Sequence, residues 1–206
     1  VEAFRVLQRA SQIGKVVISI QECSAWQPRS NAAGFVVSGG TGGLGLLIGQ
    51  WLVECSSSRL SLLSRSGACG QGTEQHWHSA ATRSSASVQV HLCDVALDQD
   101  AASIIESDMV STAGIIHSAG VLADALLANQ TQAGLQRVWG PKAHAAWCLH
   151  CAVGEAKLQL FALFSSIAAL FGGPGQANYA TANACLDALV RLRQNNSIAA
   201  LSMQWG

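Results

Sequence analysis

The chain has 206 residues, half of them apolar, and its 12 lysines and arginines balance its 12 aspartates and glutamates. Only 12% of residues are charged, about half of the roughly 25% usual in soluble domains. This apolar content excludes disorder, and without surplus basic residues there is no footprint for nucleic acid or an anionic membrane surface. The length suits one domain with a sizeable core.

From the N-terminus, residues 1–21 read as a short helix (2–10) and a strand (15–20) that stand apart from the rest of the chain, and 22–32 as a polar linker. From residue 33, short apolar runs at 34–38, 60–64, 88–92, 114–117, 158–164 and 200–204 alternate with stretches of helical spacing at 44–54, 74–84, 99–109, 132–151 and 178–194. Near-continuous apolar strands signify parallel strands covered on both faces, and the alternation predicts a doubly wound α/β sheet of Rossmann-like type. The longest uncharged stretch, 158–186, breaks at Gly172, Gly173, Pro174 and Gly175. Its apolar part, 158–171, is too short and too broken for a membrane span, and the stretch reads as a buried strand followed by a loop. There is no signal-peptide pattern, and the seven cysteines are an odd number set mostly in apolar segments. Free thiols in the cytoplasm are the expectation. Cys148 and Cys151 form a C-x-x-C without a second pair, and His76 and His78 lie in a polar stretch; no metal site is expected.

The first strand runs into Ser38-Gly39-Gly40-Thr41-Gly42-Gly43-Leu44-Gly45, which opens a helix. Gly40, Gly42 and Gly45 satisfy one dinucleotide-loop spacing, and Gly39, Gly43 and Gly45 satisfy another. Either brings bare backbone and a helix N-terminus to a pyrophosphate. The second strand ends in Ser64-Arg65-Ser66 instead of the acid that would bind ribose hydroxyls. A guanidinium and two hydroxyls suit a 2′-phosphate, so NADPH is the expected cofactor. Asp94-Val95 comes after the third strand, where a carboxylate can accept from the adenine amine.

Four residues stand out for carbonyl reduction, which needs a proton donor, a second donor on the carbonyl oxygen and a group that makes a phenol more acidic. They are Lys142, Ser166, Tyr179 and Asn183. Tyr179 is the chain's only tyrosine, Ser166 precedes it by 13 residues, and Asn183 lies one helical turn beyond it.

With these motifs the sequence resembles the short-chain dehydrogenase/reductase superfamily, and more closely the ketoreductase domain of modular type I polyketide synthases. The similar segments are SGGTGGLG, LLSRSG, CDV, IIHSAGVLADALL, PKAHAAWCLH, LFSSIAALFGGPGQANYATANACLDAL and MQWG. Ordinary members carry Tyr-x-x-x-Lys; here Asn183 holds that position and Lys142 stands on the preceding helix, as in the polyketide ketoreductases. The resemblance implies that Tyr179 donates the proton, Ser166 holds the carbonyl oxygen, Lys142 lowers the tyrosine pKa, and Asn183 orients the lysine and a relay water. It also implies cofactor contacts through Ser118-Ala119-Gly120. Leu122-Ala123-Asp124 keeps the last acid of the family's D-alcohol signature, and Phe171 occupies the place of the opposite class's tryptophan. A D-alcohol is expected, with Asp124 and Phe171 as stereocontrol residues.

The implied reaction is reduction of a β-ketoacyl thioester, tethered by phosphopantetheine to an acyl carrier protein, during polyketide or fatty acid elongation. Residues 1–21 resemble the end of an enoylreductase domain, and 33–206 a ketoreductase truncated at its C-terminus, so adjoining synthase domains are expected to cover part of the thinly charged surface. Two other readings remain open: a catalytically silent scaffolding module, and a free-standing short-chain reductase of small ketones.

Overall fold

A computed structural model describes residues 34–55, 57–68, 86–108 and 112–206. The proposed tail 1–21, the linker 22–32 and the helix expected at 74–84 lie outside the described residues. Six strands form one sheet: β1 (Gly34–Ser38), β2 (Arg59–Ser64), β3 (Ser87–Leu92), β4 (Thr112–His117), β5 (Leu160–Ser166) and β6 (Leu201–Trp205), in the order β3-β2-β1-β4-β5-β6 with every pairing parallel. The order reverses between β1 and β4, and the crevice above their C-terminal ends is where such a sheet receives a ligand.

The helices are α1 (Gly43–Glu54), α2 (Asp98–Asp108), α3 (Gln132–Trp139), α4 (Ala145–Val153), the single turn α5 (Ala168–Phe171) and α6 (Ala177–Asn195). Strand alternation assigns neighbouring residues to opposite layers. Phe35 and Val37 of β1 pack with Leu46, Leu52 and Val53 of α1, whereas Val36 joins Ile105 of α2, Leu149 of α4 and Leu186 of α6. Each buried leucine or phenylalanine contributes about 1.5–3 kcal/mol, so the two layers hold the crevice rigidly between them.

Three expectations need correction. The outer strands β3 and β6 are largely exposed rather than covered on both faces, and among the described residues each pairs with one neighbour. The stretch after β5 is not simply a loop but includes α5. The helix expected at 132–151 is interrupted by a π turn at Gly140–His144. Pro141 has no N–H for the carbonyl four residues back, and the wider π register absorbs that break.

Candidate active site

The crevice has two ends. At the first, β1 turns into α1 through the glycine loop. Gly39 has φ +70°, and a Cβ there would lie 2.7 Å from Ala119 backbone. A Cβ on Gly45 would collide with the Gly39 carbonyl. No side chain caps α1 at Gly42, and a Cβ on Gly43 would meet nothing within 4 Å. The helix therefore presents bare N–H groups and the positive end of its dipole to open space. Thr41 Oγ1 donates to Ser64 Oγ at 2.7 Å, and the Ser64 and Ser66 hydroxyls are 3.0 Å apart. Arg65 is exposed beside them. A cleft of about 300 Å³ runs from Gly39 and Gly42 past Ser64, Arg65 and Ser66 to Asp94, Val95, Ser118, Ala119 and Gly120. Asp94 Oδ1 accepts from Ala96 N–H at 3.1 Å, and the Asp94 N–H donates to Asp100. The expected cofactor residues thus surround one cleft, except that Gly40, Thr41, Gly43, Leu44 and Gly45 support its rim instead of lining it. The bare helix end, the space at Gly43 and the hydroxyl row fit a dinucleotide.

At the second end, Lys142 rises from the π turn. It is 4% exposed, and burial pushes its ammonium from 10.5 down to about 8. Its Nζ donates to the Phe164 carbonyl at 3.0 Å and lies 5.2 Å from the centroid of the Tyr179 ring. Gly120 makes room for it, since a Cβ there would sit 3.2 Å from Nζ. Lys142 and Tyr179 open into a cavity of about 280 Å³ with Leu44, Gly120, Phe164, Ser165 and Trp205.

Asn183 Nδ2 donates to the Tyr179 carbonyl at 2.9 Å, while its Oδ1 is buried without a partner among the described residues. A buried acceptor left open costs about 1–3 kcal/mol unless water fills it. Ser166, at the end of β5, does not line the cavity. Its Oγ accepts from Ala168 N–H at 3.1 Å, which leaves its own hydroxyl proton uncommitted among the described residues. The adjacent Ser165 does line the cavity and donates to the Asn183 carbonyl at 3.3 Å; it has no place at the expected spacing.

The loop after β4 is tied to the start of α6. Asn178 Nδ2 donates to the Ala123 carbonyl at 2.8 Å, Ala125 N–H donates to the Gly175 carbonyl, and Gln176 Nε2 donates to Asp124 at 3.3 Å. Asp124 is thereby tied to the turn before α6 and lines neither cavity. Phe171 is 83% exposed and lines neither cavity.

Sequence reasoning missed Asn178, Gln176 and His117, which have no motif of their own. His117 is fully buried between Ser38 and the Lys142 carbonyl. Ligand atoms of Asp98, His144 and Cys148 lie within 4.8 Å of one another. Burial pushes the Cys148 thiol up to about 12, with Asp98 adding to the effect. Among the described residues no helix is long and apolar enough to cross a membrane.

A family model described as the KR domain matches residues 33–206. The chain is 39% identical over 208 residues to a phenolphthiocerol synthesis type I polyketide synthase of Mycobacterium tuberculosis, whose name includes the word inactive. It is 40% identical over 210 residues to the polyketide synthase GfsB of Streptomyces halstedii. These matches cover 99% and 100% of this chain but 13% and 4% of those proteins. Among solved structures it is similar to an A1-type ketoreductase (TM-score 0.82, 32% identity, 91% of this chain and 40% of that one). It is also similar to the ketoreductase from the first module of phoslactomycin biosynthesis in Streptomyces sp. HK803 (TM-score 0.81, 31% identity, 90% and 43%).

Proposed function

The chain belongs to the KR domain family, the ketoreductases of polyketide synthases, and from that premise we propose that it reduces β-ketoacyl thioesters with NADPH. The observation that carries this reading is Lys142, buried without losing its reach to the Tyr179 ring, at the end of a cleft lined by dinucleotide-type backbone. A bound nicotinamide nucleotide would supply the hydride. Arg65 and the hydroxyls of Ser64 and Ser66 favour a 2′-phosphate over a free ribose hydroxyl.

Tyr179 then gives its phenolic proton to the nascent alkoxide. The Lys142 ammonium offsets the phenolate that remains, and Asn183, anchored to the Tyr179 carbonyl, orients the lysine and a relay water that returns the proton. Ser166, with its hydroxyl proton uncommitted, donates to the carbonyl oxygen. The relatives are far longer than this chain. Their length favours a domain among synthase partners, with the acyl chain delivered on a carrier-protein phosphopantetheine, over a free-standing reductase of small ketones. Asp124, the last acid of the family's D-alcohol signature and tied to Gln176, favours the D-alcohol.

A silent scaffolding module is the second reading, favoured by the word inactive in one relative's name. Tyr179→Phe in the synthase carrying this chain separates the two. The reductase reading expects the β-keto product to accumulate and the reduction rate to fall about 10³-fold. An unchanged product at an unchanged rate supports the silent module.

A further inference from the structure

His117 ends β4 at the point where the strand order reverses, and it is wholly enclosed. One ring nitrogen, Nε2, lies 2.9 Å from the Lys142 carbonyl, and the other, Nδ1, lies 3.0 Å from Ser38 Oγ at the end of β1. A carbonyl only accepts, so Nε2 carries the hydrogen. Burial, reinforced by Lys142, pushes the imidazole down to about 4 and keeps it neutral, so Nδ1 accepts from the Ser38 hydroxyl. The result is one directed chain from Ser38 through His117 to the main chain of Lys142.

The Lys142 carbonyl also accepts from Ala145 N–H within the turn, and His117 is its second donor, from another element. Lys142 lies in the π turn, where Pro141 interrupts the helical ladder and the carbonyls depart from the ordinary register. His117 holds the Lys142 backbone, and the Phe164 carbonyl holds its Nζ. The lysine is clamped at both ends by neighbouring strands, with Tyr179 5.2 Å away. We propose that His117 is a positioning residue for the reduction, acting as a neutral hydrogen-bond donor that fixes the Lys142 backbone and so sets Nζ against Tyr179.

The proposal rests on the reduction proposed above, and two substitutions separate positioning from mere packing. His117→Asn keeps an amide near Ser38 and is too short for the Lys142 carbonyl; His117→Gln returns an amide nitrogen to the place of Nε2. In the full 206-residue chain labelled with ¹³C-lysine, the Lys142 titration midpoint is read by NMR without turnover. It is expected near 8 in the wild type. In His117→Asn it should rise by about half a unit or more as the loosened ammonium gains water, and in His117→Gln it should return. In the synthase carrying the chain, kcat should fall about 10- to 100-fold in the Asn variant, recover to within about 3-fold in the Gln variant, and leave NADPH affinity unchanged.

A folded His117→Asn chain with the wild-type midpoint and kcat overturns the proposal, as does a Gln variant no better than the Asn one. Where the Asn chain melts out, the Gln variant decides on the same readings: a midpoint and kcat near wild type support the donor role, and a raised midpoint with kcat down about 10-fold or more overturns it. Failure of the functional reading looks different. Tyr179→Phe would then reduce at the wild-type rate, while the lysine midpoint would still answer to His117.

Discussion

The two ends of the crevice are built by different means. At the glycine end the work is done by backbone: a positive φ at Gly39, a close approach at Gly45 and bare amides at the start of α1. At the lysine end it is done by buried side chains, with Lys142 and His117 taken out of water and each held by partners on another element. A backbone site fails by collision, whereas a side-chain site fails by misalignment and responds to pH.

The largest contrast comes from Gly45→Val, whose side chain would strike the Gly39 carbonyl. NADPH binding, measured by nucleotide fluorescence, should be lost at millimolar concentrations; retained micromolar affinity would mean that the loop does not need this close approach. At the other end, the folded Lys142 ammonium titrates near 8 instead of 10.5 because it is buried. The unfolded chain therefore holds the extra proton between about pH 8 and 10.5, and folding stability from this group rises with pH across that window. The gain is about 3 kcal/mol. Denaturant melts should show the rise in the wild type and lack it in Lys142→Met, and equal slopes would contradict the burial of the charge. Smaller again is the serine test. Ser166→Ala should cost about 100-fold in kcat and Ser165→Ala only a few-fold, because Ser165 already donates to the Asn183 carbonyl. The reverse order would move the carbonyl contact to the serine that lines the cavity.

The same division decides what is legible in the sequence. Glycines at 39, 40 and 45 announce themselves because a side chain at any of them would run into backbone, and apolar runs announce parallel strands. The structure accordingly has the expected α/β sheet, and the expected cofactor residues gather around one cleft. Lys142 and Tyr179, 37 positions apart, are paired only through the family resemblance, and no local pattern shows that one lies against the other's ring. Pro141 is visible inside the helical stretch, but the π turn that answers it depends on tertiary support. His117 reads as one more strand residue, because its partners, Ser38 and the Lys142 carbonyl, lie 79 and 25 positions away. Phe171, placed at the site by resemblance, ends α5 with its side chain 83% exposed and lines neither cavity.

Hydride transfer to a β-ketone in this crevice is best tested by isotope. The protein carrying the chain is supplied with a β-ketoacyl thioester and NADPH deuterated on its transferable C4 position, and the product is examined by mass spectrometry and chiral analysis. One deuterium at C3 of a D-β-hydroxyacyl product is expected, with NADH a much poorer donor. An unreduced β-ketoacyl thioester, or a hydroxyl product without deuterium at C3, would contradict hydride transfer at this site.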